Sequence, residues 1–257
     1  MIQVRMDNKE RKPAVVLRCP SWIESQVKSE MVRRGMSELR VTGGGDWHLG
    51  FLLQGTATAL DDELETFLTL LSEICSLQPS FGDVDICLAL DLYKVPPDED
   101  DASGRWANTP AGDLVHRSKY WTAPDGPRAF RQLTGELSTV IAHHPRLRDA
   151  DCIVSIPGRS SSALGHGERL ANAVAMTTGK TFFRTQGLYG ERPQAKAGEF
   201  KLTEELVAVP AQFGGASVIV VDDVLMSGSS MRAVAARVRS AGGGSVYGLV
   251  GAKTLKN

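Results

Sequence analysis

Cysteine is scarce in this chain. Cys19, Cys75, Cys87 and Cys152 are the only four among 257 residues. No two form a CxxC pair and none has a histidine at metal-ligand spacing. Neither a disulfide framework nor a zinc site is expected, and a reducing cytoplasm fits. Each cysteine is expected as a small buried apolar residue. Long apolar runs are lacking too. The longest uncharged stretch, 206–221, is 16 residues and is broken by Pro210 and Gly214-Gly215. It is too short to span a bilayer, so no membrane partner is expected. The opening residues MIQVRMDNKERKPAVV carry charge throughout and lack the apolar segment of a secretory leader. Basic residues form no runs, so a nucleic-acid partner is weakly supported, though not excluded. No cluster of metal-ligand residues is present, and no protein metal site is assigned.

What is present is an asymmetry of charge. Residues 1–110 hold 11 Lys/Arg against 18 Asp/Glu, a balance of −7; the remainder hold 18 against 12, a balance of +6. Two units with different partners are implied, and the basic one suits an anionic ligand. Val95-Pro96-Pro97 precedes Asp98-Glu99-Asp100-Asp101, a stretch that cannot build a packed element. Residues 96–110 therefore read as a linker between an N-terminal α/β unit, 1–95, and a second unit, 111–257.

In the first unit Ala14–Arg18 reads as a strand. Ser21 and Glu24 form a capping box for a helix ending near Gly35. Strands flank the glycine turn at 43–45, which lacks the strand-then-helix context of a phosphate loop. Trp47-His48 reads as a packed ring beside a solvated histidine. Asp61-Asp62-Glu63 open a helix to about Leu77, and 85–93 is a further strand. None of this carries chemistry.

The second unit alternates helices and strands: helix 127–143, strand 151–156, helix 167–178, strand 180–184, a polar loop 185–205, strand 218–221, helix 230–240 and strand 246–252. Continuous apolar strands alternating with helices imply a doubly wound, mostly parallel α/β sheet. The strand Ser217–Val221 runs into Asp222 and Asp223, and Ser227-Gly228-Ser229-Ser230 then opens a helix. Ligands bind at the carboxyl ends of strands in such sheets. A small turn at a helix N-terminus converges N–H groups on an anion. The two acids make sense if the same ligand carries sugar hydroxyls. A second strand ends in Pro157-Gly158-Arg159-Ser160, a tight basic turn able to bind another anion.

The first of these segments resembles the ribose-phosphate motif of type I phosphoribosyltransferases. Met226 stands where that family often has threonine. The order of the remaining pieces over about 110–257 resembles the ComF-like branch: Leu114–Tyr120, the strand ending in Pro157, the helix Glu168–Ala175, Arg184-Thr185 and Pro193-Gln194. The branch's cysteine-rich zinc region has no counterpart in 1–95. The resemblance implies binding of phosphoribosyl pyrophosphate (PRPP) with Mg²⁺. It implies transfer of the phosphoribosyl group to a nitrogen nucleophile with release of pyrophosphate. Asp222 and Asp223 would then hold the ribose hydroxyls, and Ser227, Gly228, Ser229 and Ser230 the 5-phosphate. Gly158, Arg159, Ser160 and Lys119 would hold the pyrophosphate. Lys196 would lie on a closing loop that excludes water; Arg184 and Arg192 are further basic candidates. His116 and His166 are expected to be structural or solvated. A homodimer is the family-level expectation, and the N-terminal unit is the place for a protein partner. Two other readings use the same pocket: a module that senses PRPP or a nucleotide without turnover, and an effector subunit of a toxin or defence system.

Overall fold

The computed structural model describes residues 3–7, 13–41, 47–53, 59–77, 82–97, 105–120, 124–158, 164–188, 201–210 and 212–255. The chain forms two compact units, one of residues 1–76 with 143–145, the other of 77–142 with 146–257.

The first unit is an antiparallel sheet with two helices. Its strands are β1 (Gln3–Asp7), β2 (Ala14–Arg18), β3 (Ser37–Leu39) and β4 (Leu49–Leu52), in the order β1-β2-β4-β3. Helix α1 (Ser21–Arg33) does not use the expected capping box. Pro20 occupies the N-cap position and no side chain caps the helix. Helix α2 (Asp62–Glu73) starts as its acids suggested, with the Asp61 side chain accepting from the Leu64 N–H at 2.8 Å. Ile23, Val27 and Met31 of α1 and Leu64, Phe67 and Leu71 of α2 bury together with Leu17 and Phe51 of the sheet.

From β5 (Cys75–Leu77), across which the division falls, the chain runs β6 (Ile86–Leu92), β7 (Lys94–Val95), β8 (Ala107–Asn108), α3 (Pro110–Lys119), α4 (Gly126–His143), α5 (Pro145–Arg148), β9 (Cys152–Ser155), α6 (His166–Thr178) and β10 (Thr181–Phe183), with 143–145 again counted in the first unit. It continues with β11 (Gln186–Gly187), β12 (Val207–Ala208), β13 (Val218–Leu225), α7 (Ser229–Ser240) and β14 (Val246–Lys253). Two short antiparallel pairs, β7 with β8 and β11 with β12, stand apart from a six-stranded sheet ordered β10-β9-β13-β14-β6-β5. Neighbours from β10 through β6 are parallel. This is the doubly wound α/β sheet that the apolar runs implied. The division between units falls earlier than the 96–110 stretch, because β6 pairs with β14 and so belongs to the second sheet. No helix among the described residues is long and apolar enough to cross a membrane.

The windings diverge from the centre. From β9 the chain passes through α6 to β10 on one side, and from β13 it passes through α7 to β14 on the other. With the right-handed crossovers that such connections take, this divergence carries α6 and α7 to opposite faces and makes the β9 and β13 ends the switch point of the sheet, the place where a crevice is expected. Glycines of β14 mark the two faces. A Cβ on Gly248 would meet Met231 of α7, whereas one on Gly251 would meet Val115 of α3 and Leu133 of α4.

Helix α3 has no counterpart among the expected elements. Thr109 caps it, accepting from the Gly112 N–H at 3.0 Å, and Pro110 sits in its first turn. Its start presses against the end of β6: a Cβ on Gly112 would lie 2.0 Å from the Tyr93 carbonyl oxygen. Gly112→Ala is therefore expected to shift α3 and destabilise the protein by about 1–3 kcal/mol. Denaturant unfolding of the variant measures this, and an unchanged midpoint would show that the approach is not tight.

Candidate functional site

Strand β13 is longer than its apolar run suggested, staying paired with β14 as far as Leu225 opposite Lys253. Asp222 and Asp223 thus lie within the strand at its carboxyl end, and successive residues there do not share an environment. Asp222 Oδ1 accepts from the Asp223 N–H at 2.9 Å. It lies against the start of α6, where a Cβ on Gly167 would stand 2.4 Å from it. Asp223 instead meets a cation: Lys119 Nζ, at the last residue of α3, is 3.0 Å from its Oδ2. That carboxylate is only 16% exposed. The neighbouring Tyr93 phenol is pushed up by burial and by Asp223, while Lys119 opposes the shift.

Beyond β13 the chain turns at Ser227-Gly228 into α7, which begins one residue earlier than expected, at Ser229. Gly228 is the N-cap with φ +76°, a left-handed conformation that a side chain would strain. The Ser227 and Ser229 hydroxyls are 3.1 Å apart, and Ser227 Oγ accepts from the Ser229 N–H at 3.4 Å. Ser230 lies in the first helical turn. The positive end of α7 and three serine hydroxyls belong to this one turn, a chemistry suited to a phosphate. Lys253, which motif reasoning passed over, donates to the Met226 carbonyl at 2.9 Å and also to that of Thr254, fixing the approach to the turn.

The third piece follows β9. Gly158 touches the start of α6: a Cβ there would lie 2.6 Å from Glu168 Oε2. Glu168 is 1% exposed and accepts from the Gly165 N–H at 2.5 Å and from Arg184 Nε at 2.9 Å. Arg159, Ser160, Arg192 and Lys196 lie outside the described residues.

His166 was expected to be structural or solvated, and it lies among the site's charged groups. The Ser118 hydroxyl donates to the Val115 carbonyl at 2.9 Å, so its lone pair receives the His166 Nε2–H at 3.1 Å. The ring stands edge-on to Phe130, with centroids 5.7 Å apart. Its Nδ1 is buried with no hydrogen-bond partner among the described residues. Burial pushes the imidazole down to about 4; Asp223 opposes this, and the Lys119 and Arg169 cations add to it. The site therefore gathers Asp222, Asp223, Lys119 and His166 around the β13 end. The Ser227–Ser230 turn follows β13, and Gly158, Glu168 and Arg184 lie where β9 and β10 end. Among the described residues no group of three or more His, Cys, Asp or Glu could hold a metal ion.

No protein-family model matches the chain, and no curated protein matches it in sequence. Among solved structures it is similar to an adenine phosphoribosyltransferase, 19% identical, covering 74% of this chain and 90% of that one, with a TM-score of 0.38. It is similar to the orotate phosphoribosyltransferase of Aeropyrum pernix, 17% identical over 62% of this chain and 74% of that one, with a TM-score of 0.33. It is also similar to the Trypanosoma brucei adenine phosphoribosyl transferase in complex with AMP, pyrophosphate and ribose-5-phosphate, 14% identical over 85% and 86%, with a TM-score of 0.35. At such scores these likenesses carry no weight for chemistry.

The depressed histidine has a testable sign. In the unfolded chain His166 takes up a proton below about 6.5, whereas in the folded protein it resists until about 4. Its contribution to stability is complete above about 6.5 and is lost as pH falls through that window. An NMR titration of the histidine rings should find His166 neutral at pH 5, and His166→Asn should flatten that part of the stability–pH curve. A midpoint near 6.5 would mean that the ring is solvated.

Proposed function

We propose that the second unit is a phosphoribosyltransferase domain that binds PRPP at the β9–β13 crevice and transfers the phosphoribosyl group to a nitrogen nucleophile, releasing pyrophosphate. One observation carries this reading. The acidic pair at the carboxyl end of β13 is followed directly by the Ser227–Ser230 turn, and its Asp222 lies against the start of α6, the helix whose Glu168 meets Gly158 and Arg184. A ligand with a phosphate at one end, a diol in the middle and a diphosphate at the other matches that order of charges.

In this reading the N–H groups of the turn and the Ser227, Ser229 and Ser230 hydroxyls hold the 5-phosphate. Asp223, with Asp222 beside it, accepts hydrogen bonds from the ribose hydroxyls. Lys119, Gly158, Arg159, Ser160 and Arg184 receive the diphosphate, and Lys196 belongs to the closing loop. Displacement at C1 builds positive charge on the ribose ring and negative charge on the leaving diphosphate, so the protein's contribution is chiefly electrostatic. The donor set fits a magnesium ion that arrives on the ligand, because such an ion keeps several waters and needs only one or two carboxylates. Asp222 and Asp223 are the residues that would hold it, and the ion would neutralise charge on the diphosphate.

Calorimetric titration with PRPP and Mg²⁺ tests the reading. Asp223→Asn keeps the side chain's shape but removes a charged acceptor, and affinity should fall by about tenfold or more. Unchanged affinity would remove the assignment. Pyrophosphate release in the presence of a panel of nitrogen acceptors separates transfer from sensing: binding without release under every acceptor would mark a sensor.

A further inference from the structure

Glu168 presents a puzzle of charge. A carboxylate close to a diphosphate site repels the ligand, and burial at 1% exposure is costly for any ion. Stability alone does not call for it, since apolar residues in place of a buried ion pair are often neutral or stabilising. Its geometry suggests another purpose. Oε1 accepts from Arg184 Nε at 2.9 Å, just beyond the end of β10. Oε2 accepts from the Gly165 N–H at 2.5 Å and fills the space that Gly158 leaves open. Gly158 and Gly165 themselves approach so closely that a Cβ on Gly165 would lie 3.3 Å from Gly158 Cα. One carboxylate therefore ties the end of β9, the N-terminus of α6 and the end of β10. Beside it the Thr185 hydroxyl donates to the Ser155 carbonyl at 2.8 Å, holding the β9 and β10 ends together.

We infer that Glu168 is a positioning residue for the diphosphate end of the site. It takes the Nε–H of Arg184, directing the terminal nitrogens of that guanidinium to an anion, and it sets the spacing of Gly158 and Gly165. The repulsion it adds is outweighed by holding the cation and the glycine backbone ready, so little ordering is left for the moment of binding. This rests on the reading of the crevice as a PRPP site.

The experiment compares inorganic pyrophosphate with ribose 5-phosphate, each titrated calorimetrically with Mg²⁺ into the full chain. Glu168→Gln keeps the shape and removes the charge. Gly158→Ala keeps the charge and displaces the carboxylate, because its Cβ falls 2.6 Å from Oε2. Both should lose about tenfold in pyrophosphate affinity, while ribose 5-phosphate binding stays within about twofold. Thermal melting shows which variants fold, and if Glu168→Gln does not, Glu168→Asp, which keeps the charge but shortens its reach to Arg184 and Gly165, decides by the same split. Equal loss for both ligands would reduce Glu168 to a structural ion pair. Tighter pyrophosphate binding would make it a plain repulsive charge. Either result overturns the inference while leaving the PRPP reading intact. A parent protein that binds neither ligand overturns both.

Discussion

The parallel pairing of β9 with β13 is the constraint on which the second unit depends. Cys152–Ser155 and Val218–Val221 run side by side, each residue buried, and neither strand tolerates a polar residue until it reaches its carboxyl end. There the two chains part, one toward β10 and one toward β14. The residues that follow, Gly158 after β9 and Asp222-Asp223 at the end of β13, both come up against the start of α6, Gly158 at Glu168 and Asp222 at Gly167. Apart from Lys119 at the end of α3 and Arg184 after β10, the groups assigned to the site are attached to those two ends or to the helices that they feed.

Close backbone contact is the second recurring device. Gly158, Gly165 and Gly167 line the start of α6, and at 158 and 167 the space that a Cβ would occupy is taken by a carboxylate oxygen. Gly112 lets α3 reach the end of β6, and so brings Ser118 to His166 and Lys119 to Asp223. The site is held chiefly by ion pairs and hydrogen bonds, Lys119 with Asp223 and Arg184 with Glu168, and its one ring contact among the described residues is that of His166 with Phe130. This agrees with a chain in which only 6% of residues are aromatic.

Much of this was legible in the sequence. The central strands announce themselves through continuous β-branched residues, and α4, α6 and α7 begin within one residue of their expected starts. The acid pair and the serine turn were readable because they are local: strand, acids, turn and helix lie within a few residues. What was hidden is tertiary. Helix α3 has only Ala111, Leu114 and Val115 as apolar residues and a glycine at 112, too weak a period to see, although the Thr109-Pro110 start was a usable signal. β6 reads as a strand, but nothing in its own residues says that its partner is β14, about 160 positions later. Ser21-Glu24 has the letters of a capping box, yet Pro20 fixes the chain one step ahead of it. Glu168 and His166 look like ordinary helix-start residues until Arg184 and Ser118 arrive from distant segments.

The contact between Lys119 and Asp223 means that one of the two carboxylates at the end of β13 already has a cation on it. Any guest that claims the Asp223 oxygens must part them from an ammonium, which then stands uncompensated a few ångströms away. A lone sugar offers that ammonium nothing in return. A sugar that carries its own polyanion does, so under the proposed function this pair would favour a molecule bearing both groups at once over a simple pentose.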